Sequence, residues 1–425
     1  MSIESIIIPI AAVTGVALRS LLAKNQAQSP QVVKDLKQKS NPIQHITASD
    51  FDNFISNLDN YRRNNCNFEF VVGIDVGATN TRTALFLKNL DTNVTKALEV
   101  KFQCKSMNVF RGNYAKLGDR VYDVLRKVPL GSVVALAGPV VDHTSVALTN
   151  YVEKEQDLHV DELNEKLFPR GKTRFINDLE AACFGIIGLG LEDRLGEYMA
   201  SLWVSNEESS IPVKLKKISY AVMSMGTGLG VGIIQYNDNY HGEIKYQPLP
   251  LEAGHCLIAH PAPGDKYYDR DIQRLKFLSK KLYKDVTSIE YEDICSGRGL
   301  QYCHEFELSL LSTNDEPKIA TRALKSGNPD DTPEGRALLV HYKYLMEAAQ
   351  NVCVMIPSVK GVFFTGDNQL ANESFVLESA DIYKEVFLNH PKRHWLEPVA
   401  KHMVRQKTPH NFNLEGAHFV ANHLN

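Results

Sequence analysis

The sequence predicts a mixed α/β fold made of two similar halves with a cleft between them. Three observations carry that expectation. Val71 to Phe86 (VVGIDVGATNTRTALF) reads as strand, tight turn and strand. Ile218 to Tyr236 repeats the arrangement: Ile218 to Met225 runs into GTGLG (Gly226 to Gly230), and Val231 to Tyr236 returns. Around both hairpins helical and strand patterns alternate, as they do where mixed sheets are flanked by helices.

Taken in order, residues 1–66 read as an extension ahead of the body. Ile6 to Leu18 (IIIPIAAVTGVAL) is an apolar run too short for a membrane span, and it lacks the basic region of a secretory signal. It is expected to form a helix packed on the body or on a partner, with organelle targeting as the alternative. Gln31 to Lys37 and Ser49 to Tyr61 have helical patterns, the second capped by Ser49 or Asp50. After the first hairpin come a strand at Ala97 to Cys104, an amphipathic helix at Tyr114 to Lys127, and a buried strand at Ser132 to Ala137 ended by Gly138-Pro139. A short strand at Ser145 to Leu148, a helix near Val160 to Leu167, a strand at Thr173 to Ile176 and a helix from about Leu179 complete the first half. Polar Ser205 to Lys217 is a surface loop ahead of the second hairpin. Asp265 to Ile356 is mainly helical with a polar break near Ser326 to Pro333, and Lys360 to Thr365 is a strand opening onto Gly366-Asp367-Asn368.

The 425 residues are 44% hydrophobic and 23% charged, with a net charge of −3, ordinary values for a soluble globular chain with ample core. Without a basic stripe, nucleic acid is not expected as a partner. The seven cysteines, Cys66, Cys104, Cys183, Cys256, Cys295, Cys303 and Cys353, include no CxxC pair. They read as free thiols of a reducing compartment, so a cytoplasmic location is expected.

Chemistry concentrates at the turns. Gly77 permits close approach to the backbone, Thr79, Asn80 and Thr81 offer short donors, and successive main-chain N–H groups there can cradle an anion. Asp75, at the end of a buried strand, can hold a hydrated Mg²⁺. The plainer alternative is a hairpin whose Asp and Asn satisfy turn hydrogen bonds. Asp178 lies at a strand-to-helix junction, where a carboxylate can accept a hydroxyl proton or simply cap the helix. Glu252 and His255, three residues apart around the flexible Gly254, can accept from and donate to adjacent hydroxyls; taken alone they are surface or capping residues.

Six motifs then occur in a telling order: the opening hairpin, INDLEA (Ile176 to Ala181), GTGLG, LEAGH (Leu251 to His255), EDICSG (Glu292 to Gly297) and VFFTGDN (Val362 to Asn368). In this the chain resembles the bacterial-type glucokinases, from roughly residue 68 to the C-terminus. The resemblance implies a two-lobed, actin-like ATPase (ribonuclease H-like) fold and ATP-dependent phosphorylation of glucose to glucose 6-phosphate, with ATP and Mg²⁺ as cofactors. It makes Asp178 the general base and places Asn177, Asp178, Glu252, His255 and Glu292 on glucose. Asp75, Gly77, Thr79 and Asn80 would face the nucleotide from one lobe, Gly226, Thr227 and Gly228 from the other, with Gly366 and Asp367 toward adenosine and Asp75 on Mg²⁺ through water. The lobes would be residues 67–188 plus 403–425, and 189–402. Relatives are commonly dimers, so a homodimer is an expected assembly. Two departures stand out: Ala253 where the family usually has Gly, and Gly366-Asp367 where many members have two glycines. The related repressor and kinase family follows its E-x-G-H motif with a zinc-binding cysteine cluster. Here CLIAHPAPGD follows His255, so no structural zinc is expected. The alternatives are a kinase for another hexose or an amino sugar, and a non-catalytic sugar-sensing protein.

Overall fold

Two six-stranded mixed sheets share a buried layer that contains two helices. The computed structural model describes residues 43–423, apart from 78–79, 105, 149–156, 205–212, 241, 243, 262 and 311–328. The apolar run at 6–18, the helical pattern at 31–37, Thr79 and most of the loop at 205–217 lie outside the described residues.

The first sheet begins with β1 (Gln44–Thr47), followed by helix α1 (Phe51–Asn64), whose N-cap Asp50 accepts from the Asn53 N–H. Strands β2 (Phe68–Val76), β3 (Thr81–Asn89) and β4 (Thr95–Phe102) form an antiparallel meander. Helix α2 (Met107–Leu125) leads to β5 (Ser132–Leu136). A small sheet follows, made of β6 (Val140–Val141), β7 (Ser145–Ala147) and β8 (Asp157–His159), and then β9 (Thr173–Asn177) and α3 (Asp178–Leu191). The sheet order is β1-β4-β3-β2-β5-β9, with β1, β5 and β9 each parallel to its neighbour.

The second sheet starts after α4 (Leu195–Tyr198) with β10 (Met199–Ser201). It continues through β11 (Ser219–Met225), β12 (Leu229–Tyr236) and β13 (Tyr246–Leu251). Helices α5 (Tyr268–Tyr283), α6 (Glu292–Cys295), α7 (Gly297–Ser309) and α8 (Pro333–Met355) then precede β14 (Val359–Thr365). After α9 (Asp367–Ala371), α10 (Glu373–Glu378), α11 (Ala380–Leu388) and α12 (Arg393–Ala400) come β15 (Met403–Gln406) and the last helix, α13 (Phe412–His423). The order is β10-β15-β14-β11-β12-β13.

The period of two along each strand sorts residues between the layers. Phe70, Val72, Ile74 and Val76 of β2 join α1 and α2 in an outer core, whereas Val71 joins α3 and α13 in the shared layer. Gly73 and Asp75 are in phase with Val71 and so look toward α13. Tyr220 and Val222 of β11 and Phe363 of β14 reach the same layer from the second sheet. Within it α3 and α13 pack backbone to backbone: a Cβ at Gly416 would lie 1.8 Å from the Ala181 carbonyl oxygen, and one at Gly185 would lie 2.2 Å from that of Phe412. Only glycine allows that approach.

Three expectations are corrected. The helix near Val160 to Leu167 is one 3₁₀ turn, Val160–Glu162, because Asn164 turns the chain with both its side chain and its carbonyl, accepting from Lys166 N and Leu167 N. Helix α2 begins seven residues before Tyr114, capped by Ser106. The limits at 66 and 403 do not follow the sheets either. β1 pairs with β4 and α1 buries Phe54 and Leu58 in the first core, while β15 pairs with β14 in the second sheet, so only the chain after it returns to the first.

Candidate active site

Parallel strands bring their C-terminal ends to one edge, and loops there are the usual place for ligand chemistry in open α/β sheets. Val76, Leu136 and Asn177 stand in one row of the first sheet. Asp75 precedes that row on β2 and Asp178 follows it at the junction of β9 and α3, with β5 between the two strands. In the second sheet Ser224 pairs with Thr365, so the Gly226–Gly228 turn and Gly366 leave that sheet together.

Asn177 caps α3, accepting from Leu179 N and Glu180 N, and its amide donates to the Gly138 carbonyl at 3.3 Å. The helix cap is therefore Asn177, which frees Asp178 from that duty. Asp178, the first residue of α3, accepts from Leu179 N at 2.9 Å. Burial pushes its carboxyl up, the negative charge of Asp75 pushes it further, the Leu179 N–H opposes them and Glu252 adds to the rise, bringing it to about 7. The charges of Asp75 and Glu252 thus both reach Asp178.

Asp75 is only 7% exposed. Its Oδ2 accepts from Asn411 Nδ2 and its Oδ1 from Asn413 Nδ2, both at 2.9 Å, while Arg82 Nη1 stands 3.7 Å from Oδ2. Next to it the turn is closed by Gly77 N donating to Asn80 O at 3.1 Å.

The opposite tip is tied to EDICSG. Gly226 N donates to Gly228 O, and Gly297 N donates to Gly226 O at 2.9 Å. Glu292 Oε2 accepts from Leu229 N at 2.9 Å and lies 2.4 Å from where a Cβ at residue 228 would be, so a side chain there would displace the Glu292 carboxylate. Arg298 Nη2 donates to the other oxygen of Glu292 at 3.3 Å. Gly226 and Thr227 are exposed. Gly366 holds φ of 108° and donates its N–H to Gln406 Oε1, Asp367 opens α9 at the surface, and Asn368 meets the buried His341, whose other ring nitrogen is 2.6 Å from the Ile294 carbonyl.

Glu252 and His255 lie at the end of β13 and in the turn after it, with side chains 76% and 54% exposed. His255 Nδ1 pairs with Glu290 Oε2 at 2.7 Å, and its Nε2 is 3.9 Å from Glu252. The bond to Glu290 raises its basicity against partial desolvation, with Glu292, Glu290 and Glu252 adding to the rise. A cavity of about 280 Å³ opens here, lined by His255, Glu290, Glu292, Asp293 and Arg298 among others. A second cavity, about 130 Å³, lies around Arg274 and Lys343 away from these loops. Its cations are held by carboxylates, Glu307 alone accepting from Arg270, Arg274 and Arg336, so it is a structural ion-pair network.

The sequence reading did not single out Asn411, Asn413, Glu290 or His341. The Asn-Phe-Asn at the start of α13 carries a local signal, but that signal is helix capping, which Asn411 does perform for Leu414 N.

Two mixed sheets that each carry a glycine-tipped hairpin and share a buried helical layer place the chain in the actin-like ATPase class of sugar kinases. A model of the glucokinase family matches residues 72–419. Glucokinase 1 of Trichomonas vaginalis is 31% identical over 303 residues, 69% of this chain and 77% of that protein. The crystal structure of glucokinase from Balamuthia mandrillaris in complex with glucose is 30% identical and superposes with a TM-score of 0.73, covering 92% of this chain and 99% of that one. Leishmania braziliensis glucokinase, 19% identical, shares the fold with a TM-score of 0.72 over 90% of this chain. The chain belongs to the glucokinase family of hexokinase-type phosphotransferases.

Proposed function

We propose that this protein transfers the γ-phosphoryl group of ATP to glucose, giving glucose 6-phosphate, with Asp178 as general base. The observation that carries the base assignment is the Asp178 carboxyl at the edge of the sheet, its proton affinity raised to about 7 by burial and by Asp75. A sugar hydroxyl is a poor nucleophile, and a carboxylate poised near neutral pH takes its proton as the O–P bond forms. Asn177, Glu252, His255 and Glu292 would fix the sugar around that hydroxyl. The Balamuthia enzyme, 30% identical, is seen with glucose, which supports this choice of sugar.

The backbone of Gly77 and Asn80, with Thr79, and that of Gly226, Thr227 and Gly228 would hold the phosphates, with Gly366 and Asp367 toward the nucleoside. Asp75 fits a Mg²⁺ site of the kind that keeps most of its waters: each of its oxygens accepts one amide and retains a lone pair. When bound, the ion neutralises charge on the phosphate oxygens. Among the described residues there is no group of three or more His, Cys, Asp or Glu side chains that could hold a metal ion. The seven unpaired thiols support a reducing compartment such as the cytoplasm, and no helix among the described residues is long and apolar enough to cross a membrane.

The test is a glucose plus ATP·Mg²⁺ assay for glucose 6-phosphate. Asp178→Ala should lower kcat by about 10²-fold or more, the usual share of general-base help, while calorimetry still detects glucose binding. A near-normal rate in that variant overturns the base assignment. A wild-type protein that binds glucose and forms no glucose 6-phosphate overturns the function.

A further inference from the structure

We propose that Asn411 and Asn413 are positioning residues of the phosphoryl-transfer site, a two-amide clamp that holds the Asp75 carboxylate aimed at the Mg²⁺-nucleotide. The inference rests on the reading of Asp75 given above, and it assigns a function to a segment 336 residues away in sequence.

The geometry is that of a fork. Each Asp75 oxygen accepts one amide N–H at 2.9 Å. The amide of Asn411 is itself fixed, since its Oδ1 accepts from Leu414 N at 3.0 Å, leaving Nδ2 to face Asp75. Phe412 lies between the two asparagines and is buried in the shared layer, which holds the intervening backbone. The segment then enters α13, whose close packing against α3 fixes its distance from Asp178.

The chemistry of the donors matters as much as their placement. A lysine or arginine at the same distance would stabilise the carboxylate and also cancel its charge. Amides fix the direction of both oxygens by hydrogen bonding and carry no charge of their own. Asp75 needs its charge for two purposes, attracting a cation and raising the proton affinity of Asp178. Arg82 is ion-paired to Asp75 at 3.7 Å, beyond hydrogen-bonding range, with its side chain 43% exposed. A clamp of neutral donors therefore suits a metal-facing carboxylate better than an ion pair would.

A purely structural role, anchoring the start of α13, makes a different prediction, and Asn413 separates the two because no second hydrogen bond ties its amide to the helix cap. Asn413→Leu removes the donor while keeping the number and branching of the side-chain heavy atoms. Mg²⁺·ADP and metal-free ADP are titrated by calorimetry into wild-type and variant protein, and glucose is titrated separately. The clamp predicts that Mg²⁺·ADP affinity falls by about 10–100-fold, the usual effect of losing a partner that orients a metal-side ligand. Metal-free ADP and glucose should bind as in wild type, and KM for Mg²⁺·ATP should rise with KM for glucose unchanged. Unchanged Mg²⁺·ADP affinity with only a lowered Tm overturns the clamp. Asn413→Ser, whose shorter side chain cannot span the gap, gives the same reading if the Leu variant does not fold. The nucleotide titrations need no turnover, so a protein that fails to phosphorylate glucose defeats the proposed function and still reports on the clamp.

Discussion

A carboxylate that takes a proton at neutral pH must hold it more tightly than ordinary aspartate, and the same property makes it unfavourable in the folded chain. Asp178 ionises near 7 when folded against 3.8 ordinarily, first because it is buried and then because Asp75 is close. The sign follows directly. Between these values the unfolded chain has already lost the proton that the folded chain keeps, so folding stability falls as pH rises from about 4 toward 7 and stays reduced above it. Asp178→Asn cannot ionise and escapes this. Its Tm should match that of wild type near pH 4.5 and exceed it at pH 8 by about 2 °C, while the same substitution removes turnover. Calorimetric melts at the two pH values test it; an equal or lower Tm at pH 8 would mean that the Asp178 charge is well solvated. In wild type, kcat/KM should fall below pH about 7 as the base becomes protonated.

At the scale of elements, what was legible in the sequence depended on how local its cause was. The two hairpins were readable because β-branched runs, period-two alternation and glycine turns are written within about twenty residues, and the cap of α1 at Asp50 follows from one residue and its neighbours. The start of α2 was hidden because Gly112 and Asn113 look like breakers; Gly112 meets nothing there, and packing of Met107 and Phe110 extends the helix through it. The clamp on Asp75 could not be read at all, since no local pattern links residues 75 and 413. Nor does the sequence announce that α3 and α13 touch. That contact yields a prediction: Gly416→Ala places a methyl group 1.8 Å from the Ala181 carbonyl oxygen, so the helices must separate. Overpacking of this kind costs about 1–3 kcal/mol, read as a lowered denaturant midpoint at unchanged slope. Because the two helices carry Asp178 and the clamp at their N-termini, kcat should fall as well. A variant with wild-type stability and rate would show that the pair can part freely.

For the whole molecule, the informative question is where the catalytic body begins. Composition alone drew the line at residue 66, because residues 23–65 are polar and a strong strand-like hydrophobic pattern starts at Phe68. The sheet draws it earlier. β1 pairs with β4 through Gln44–Lys96 to Thr47–Glu99, Ala48 N donates to Glu99 O, and α1 buries Phe54, Ile55, Leu58 and Tyr61 beside Phe68 and Phe70. Four buried apolar side chains contribute about 1.5–3 kcal/mol each relative to exposure, a sum comparable with the whole net stability of a typical domain. Two truncations should therefore part company. Removing residues 1–40 leaves every contact named here in place, and the product should melt within a few degrees of the full chain and keep its glucose affinity. Removing residues 1–66 strips an edge strand and a core helix, uncovering Phe68, Phe70 and the β4 edge to solvent, and that product should aggregate or unfold at room temperature. Differential scanning calorimetry and size-exclusion chromatography of the pair decide the matter: if the shorter protein is monodisperse with a full-length Tm, β1 and α1 are appendages and the body begins at Phe68.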